Sequence, residues 1–319
     1  MEQEESLLFN LINNTFNKGT IEIIRQNYIN DLKDVSKWIC YSDYCLDDKT
    51  KKNSVVTFSI LPFIDDQNIL SNYINNAQKK DIKKTKVVNE KFLEFLKNYP
   101  VINFSFILDN RKTLFGNSGE ERKQIVLYHL NHYKKIYTLW GNNEPDKKSI
   151  YKPILKEIER SIIEVSHGKK VNLYIDILLF SFLGAYVSSI LLKEIDKNEV
   201  FGWMSDRDKL FEVGNGLILE LFHITLHSLL PEDKKKFVFT GAMANSSFNI
   251  FYDEFIKIPD YIVGTLADYN LEKNSISHEK FNTVLTKFMG DNSLNNFVFK
   301  IFKSDLEKFN CAKVEIRNK

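Results

Sequence analysis

Glycine and proline are scarce, at 12 and 6 of 319 residues. That excludes collagen-like and Pro/Gly-rich disordered classes. Cysteine is scarcer. Cys40, Cys45 and Cys311 form no CxxC pair and no even set. A disulfide framework is therefore excluded, a reducing compartment such as the cytoplasm is expected, and Cys40 and Cys45 read as packing residues. Charge of one sign is not in excess: 44 basic and 42 acidic residues leave a net charge of +2. Total charge thus dictates no polyanionic partner. P-loop and GxGxxG patterns are absent, and Ser118 lacks a nucleophile-elbow context. The acidic stretch MEQEESLLFNLINN lacks the basic and apolar regions of a secretion signal, so none is expected. Only one apolar run is long, Val171 to Leu192 (VNLYIDILLFSFLGAYVSSILL). A spanning helix needs about 20 such residues. Asp176 interrupts this run, and β-branched character concentrates in its first part. It reads as a buried strand, Val171 to Ile177, running into a buried helix, Leu179 to Glu194, with no stable membrane span.

What is present suits a globular chain. Hydrophobic residues make up 43% and aromatics 13%, enough for a sizeable core. The stretch from Ser36 to Phe63 predicts two strands joined by the polar turn Asp47 to Asn53. Residues 1–35 read as an N-terminal helical segment. Gln67 to Lys80 and Val88 to Tyr99 predict helices, and Val101 to Leu108 a strand. Helices are expected over Glu120 to Trp140 and Tyr151 to Ser166, a helical insertion near 116–168. Short strands at Glu199 to Met204 and Phe237 to Thr240 flank an apolar helix, Gly216 to Leu230. Asp253 to Tyr269 is a helix started or kinked at Pro259. Residues 271–319 read as a C-terminal helical extension closing on a strand, Ala312 to Arg317. Strands and helices alternate after an initial hairpin, so the fold class is α/β, with a mixed central sheet over 36–270 flanked by helices.

Four acids stand out by position: Asp43 in the first strand, Asp81 at the head of DIKK, Asp176 in its apolar run, and Asp260 in an apolar helix ahead of Gly264. A carboxylate among apolar neighbours is costly unless a cation or donor meets it. Acids on strands and a helix that converge at a sheet end repel one another unless divalent cations are present. Hard oxygen ligands suit Mg²⁺ or Mn²⁺, and two such ions stabilise attacking and leaving oxygens in phosphodiester cleavage. The run KKDIKKTK, Lys79 to Lys86, reads either as solvated loop charge or as a phosphate-facing rim.

The order of these stretches resembles the ribonuclease H-like fold. More closely, it is similar to a family of uncharacterised bacterial proteins of that fold with YxDES, ELK and QLADxxAG-like motifs. The matching stretches are Tyr41-Ser42-Asp43, Asp81-Ile82-Lys83, Tyr174-Ile175-Asp176, and Ile258-Pro259-Asp260 through Gly264. Tyr44 stands where the family has Glu, Asp81 replaces the longer acid, and the last motif lacks its Gln. The resemblance implies a metal-dependent nuclease. Asp43, Asp81, Asp176 and Asp260 would be its catalytic acids, with Asp43, Asp176 and Asp260 as metal ligands and Lys83 near a substrate phosphate. DNA and RNA are both open as substrate.

Ser205-Asp206-Arg207-Asp208 reads either as a turn and helix cap or as part of the site, with Asp206 or Asp208 adding a ligand and Arg207 holding a phosphate. Asp268 either faces solvent or replaces Asp260 as the metal acid. Asp109 is most simply a turn residue. Glu220, His223 and His227 share a helical face, without the HExxH pattern of a zinc enzyme, and read as core or surface residues. The alternative to a nuclease is a non-catalytic interaction protein on the same scaffold. Such a protein would have a protein partner or form a homo-oligomer, as an accessory to a bacterial antiviral defence or toxin–antitoxin system.

Overall fold

The computed structural model describes residues 2–206, 208–241, 252–304 and 308–318. The N-terminal segment is helical but broken. α1 (Glu2–Phe16) and α2 (Thr20–Ile24) part at Gly19, whose φ of 114° suits glycine. β1 (Lys37–Cys45), β2 (Val55–Pro62), α3 (Gln67–Ala77), α4 (Glu90–Asn98) and β3 (Ile102–Leu108) lie where the periodicity places them. A paired helical segment follows, α5 (Gly119–Asn143) and α6 (Lys148–Ser166). Ser118 caps α5 in a capping box with Glu121. Next come α7 (Val171–Glu194), β4 (Val200–Ser205), α8 (Lys209–Glu212), α9 (Leu217–Leu229) and β5 (Val238–Gly241). α10 (Asp253–Asp268) contains Pro259 rather than starting at it. α11 (Glu279–Val284), β6 (Asn296–Lys303) and β7 (Phe309–Val314) complete the chain.

All seven strands form one mixed sheet, in the order β5-β4-β1-β2-β3-β6-β7. β1, β2 and β3 are an antiparallel meander. β4 pairs parallel to β1 and β5 parallel to β4. β6 pairs parallel to β3, and β7 antiparallel to β6. The C-terminal ends of β1, β3, β4, β5 and β6 therefore share one sheet edge. Side chains alternate across the sheet. Trp38, Cys40, Phe58 and Phe106 pack with α1, α5, α7 and α9 on one face. Ile39, Tyr41, Val55 and Ile107 pack with α3, α4, α10 and α11 on the other.

Two expectations are corrected. Val171 to Ile177 is not a strand: α7 is a single helix from Val171 to Glu194, and every residue from Tyr174 to Leu192 except Phe182 is buried. Apolar on all sides, it has no periodic face to read, and its β-branched start imitated a strand. Of its most apolar window, 94% lies inside the fold. Residues 271–319 are not a helical extension either. They carry β6 and β7, which widen the sheet beyond β3, with Phe297, Phe299 and Ile301 buried on the α7 face.

α7 lies close against the sheet because Gly184 has no side chain. A Cβ there would sit 2.8 Å from Phe58 Cε1 and 3.4 Å from the Phe222 ring. Gly184→Ala should destabilise the fold by about 1–3 kcal/mol through overpacking, read as a lower urea midpoint with an unchanged slope.

Candidate active site

The site is built at the shared C-terminal sheet edge. Ser42 fixes the junction of β1 and β4. It accepts a hydrogen bond from Trp203 Nε1 at 2.9 Å, and its carbonyl accepts one from Ser205 Oγ at 2.9 Å. Ser42 is paired with Ser205 in register. Asp43 and Asp206, the next residue of each strand path, therefore lie side by side. Alternation puts Asp43 on the face of Tyr41, under α10.

α10 brings the third acid. Tyr41 stacks on Phe255, ring centroids 5.0 Å apart and 11° from parallel. Two strand residues beyond Tyr41 advance about 6.7 Å, and five helical residues beyond Phe255 about 7.5 Å. The stacked pair thus sets Asp260 level with Asp43. Asp260 Oδ2 accepts the Ile82 backbone N–H at 2.8 Å. Ile82 docks at Gly264, where a Cβ would meet its Cγ2 at 2.8 Å. The turn Ile82–Lys84 is thereby held with Lys83 exposed beside both acids.

The charges act on one another. Asp43 is partly buried and held well above the usual carboxylate range, first by burial, then by the charges of Asp260 and Asp206; Lys83 pulls the other way and Asp208 adds to the rise. Among the described residues no donor is hydrogen-bonded to the Asp43 carboxylate. Asp260 is pushed up to about 6 by burial, opposed by the Ile82 N–H and reinforced by Asp81. Asp208 is also pushed up to about 6 by burial, although it caps α8 through the Leu210 N–H at 3.0 Å. Asp81 lies near Asp260 and pairs with Lys84 at 3.1 Å.

The structure therefore brings together Asp43, Asp206, Asp208, Asp260 and Lys83, with Asp81 at the margin. Arg207 lies outside the described residues. Asp176 is elsewhere, which corrects its expected place among the acids. It lies on α7, on the opposite face of the sheet, gripped by Arg111: Nε to Oδ1 is 2.7 Å and Nη2 to Oδ2 is 3.1 Å. Arg111 also reaches Asp47 at 2.7 Å. This ion pair went unforeseen because Arg111 follows β3 in an ordinary polar turn, with no local signal. Asp268 does not replace Asp260. Rather than facing solvent it is buried, bound by Lys51 at 3.1 Å and by the Ser277 N–H and hydroxyl. Asp109 pairs with Lys300 at 2.7 Å. His223 stacks on Phe239, and Glu220 is held by Tyr137. Among the described residues no group of three or more His, Cys, Asp or Glu side chains is arranged to hold a metal ion.

The two kinds of buried acid predict opposite mutational effects. Asp176→Ala leaves the buried Arg111 with only Asp47, on its outer side, as an ion-pair partner, and should cost about 3 kcal/mol in chemical denaturation. Asp43→Asn removes a carboxylate disfavoured by burial and by neighbouring acids, and should raise the urea midpoint in EDTA at neutral pH. The sign follows from linkage: carboxyls raised in the folded state contribute stability at low pH that is lost as pH rises through their folded values. The gain from Asp43→Asn should therefore vanish below about pH 4 and grow as pH climbs through the folded Asp260 value of about 6. A gain independent of pH would contradict the repulsion.

A scan against protein-family models found no match to this chain, and searches of curated proteins and of solved structures found none either; the reading of the site rests on its geometry.

Proposed function

We propose that the chain is a ribonuclease H-like phosphodiesterase acting on nucleic acid with Mg²⁺ or Mn²⁺. One observation carries this reading: Asp43, Asp206 and Asp260 converge from β1, β4 and α10 on a single sheet edge, with Lys83 beside them. The antiparallel meander continued by parallel strands on the far side of β1 supports the fold assignment. Asp206 takes the strand-end position first assigned to Asp176.

Carboxylate oxygens are the donor type a hard divalent cation takes, although among the described residues no three acids are grouped to hold one as they stand. The donor set is made of carboxylates alone, and at Asp43 and Asp260 burial, reinforced by the charges of neighbouring acids, raises the proton affinity. Asp43, Asp206 and Asp260 would hold the ions, which when bound supply charge stabilisation and an activated water at phosphorus. Asp208 and Asp81 extend the acidic ring. Lys83 neutralises a non-bridging phosphate oxygen and orients the phosphodiester. Ser42 and Tyr41 fix the first acid, and the Ile82 N–H fixes the rotamer of Asp260.

The second reading, a non-catalytic accessory protein in bacterial defence or a toxin–antitoxin pair, is favoured by Tyr44 in the place of an acid and by the lack of a preformed three-residue metal group among the described residues. Mn²⁺ titration by calorimetry together with cleavage of labelled DNA and RNA separates the two. Wild type should bind Mn²⁺ and cleave at least one substrate. Asp43→Asn, Asp206→Asn and Asp260→Asn should each lower cleavage at least ~100-fold while remaining folded. Asp176→Asn, assayed cold, should keep its activity per folded molecule. Wild type that neither binds Mn²⁺ nor cleaves would leave the accessory reading.

A further inference from the structure

Residues 78–86 follow no regular pattern apart from the single turn Ile82–Lys84, yet their backbone is fixed inward at many points. Lys257 Nζ donates to the carbonyls of Gln78 at 3.0 Å and Lys79 at 3.3 Å. The Tyr261 hydroxyl donates to the Lys80 carbonyl at 2.7 Å. Lys280 Nζ donates to the carbonyls of Ile82 at 2.7 Å and Lys83 at 3.4 Å. Gln78, Ile82 and Thr85 are buried. With the carbonyls and these anchors turned inward, the side chains of Lys79, Lys80, Lys83, Lys84 and Lys86 all emerge exposed.

This is an unfavourable arrangement for the chain alone. Lys84 pairs with Asp81, but none of the other four lysines is in an ion pair among the described residues. The segment is held in place by two further lysines, one of them, Lys257, only 6% exposed. Lys257 is itself paired with Glu254, whereas Lys79, Lys80, Lys83 and Lys86 face solvent with no ion-pair partner among the described residues and are open to an anion from outside. The strip runs into the acidic cluster at Lys83, whose charge acts on both Asp43 and Asp260. Only a ligand with anions at regular intervals and an ester that those acids can cut makes use of both features.

We propose that Lys79, Lys80, Lys83 and Lys86 form the backbone track of a nucleic-acid strand, with Lys83 at the scissile phosphate and the others on its neighbours. This rests on the phosphodiesterase reading and extends it: the substrate is a polymer held by its phosphates and not by base edges, so binding is salt-dependent and indifferent to sequence.

The test uses the full chain and the triple variant Lys79→Gln/Lys80→Gln/Lys86→Gln. Among the described residues none of these side chains is in a hydrogen bond or ion pair, and all three are exposed. A labelled 20-nucleotide DNA, single-stranded and as a duplex, is titrated over a salt series, and hydrolysis of bis-p-nitrophenyl phosphate with Mn²⁺ is followed in parallel. The variant should bind the preferred DNA form about tenfold or more weakly near 0.1 M salt, with a log K against log salt slope shallower by about 2. Hydrolysis of the small diester should stay within about twofold. An unchanged affinity and slope, or a wild type that binds neither DNA form, overturns the track even when the small diester is cleaved. A reduced slope without any diester hydrolysis keeps the track and removes the phosphodiesterase reading.

Discussion

The docking of α10 across β1 is the constraint on which the candidate site depends. Tyr41 stacked on Phe255 sets the helix along the strand. From that contact one side of α10 meets a series of partners: Lys257 holds the carbonyl of Gln78, Asp260 the N–H of Ile82, Tyr261 the carbonyl of Lys80, and Gly264 the Ile82 side chain. The far end is held by the β1–β2 loop. The N–H groups of Lys52 and Asn53 donate to the Ala267 carbonyl at 2.8 and 3.1 Å, and the Asn53 side chain donates to the carbonyls of Leu266 and Tyr269. These bonds satisfy terminal carbonyls that a helix leaves open. The same loop follows the strand that carries Asp43, so β1 and α10 are tied together on both sides of the acids and cannot slide independently.

That rigidity explains how like charges persist side by side. A carboxylate can avoid a like neighbour by rotating into water, or by taking up a proton. Asp260 is held from the first route by its bond to the Ile82 N–H, and the backbone that carries Asp43 is fixed through Ser42. What is left is a raised proton affinity, which is the condition that a divalent cation relieves. Asp176 shows how the same chain treats a structural acid. Arg111 meets it with two hydrogen bonds and carries a second acid, Asp47, on its outer side. Asp176 has a local cationic partner in Arg111, whereas among the described residues Asp43 has none bound to it and feels Lys83 only through its charge.

Much of this was legible in the sequence, for reasons that differ by element. β1, β2 and β3 alternate or run apolar between clear polar turns, and α4 and α10 each have one apolar side, so periodicity found them. Asp43 and Asp260 were legible as polar residues in apolar company, whereas Asp81 and Lys83 stood out through the likeness of Asp81-Ile82-Lys83 to a family motif. α7 was misread because burial on all sides erases the periodic signal, and with it Asp176 was placed on a strand. β6 was missed although Phe297, Phe299 and Ile301 alternate, because its parallel partner β3 lies far away in sequence. Asp206 was visible only as one of two acids in a polar turn. Its position depends on the register of β4 against β1, a non-local fact that no short window contains.

The lysine strip follows from the same geometry. A helix that presents Lys257, Asp260, Tyr261 and Gly264 along one side draws in the backbone of the neighbouring segment and leaves room beneath for Gln78, Ile82 and Thr85 but for none of its lysines. Every lysine between residues 79 and 86 then faces outward whatever its neighbours prefer. Acids placed under α10 and cations placed beyond it are two consequences of one packing decision. The acidic cluster at the sheet edge and the cationic strip beside it are thus both set by a single helix.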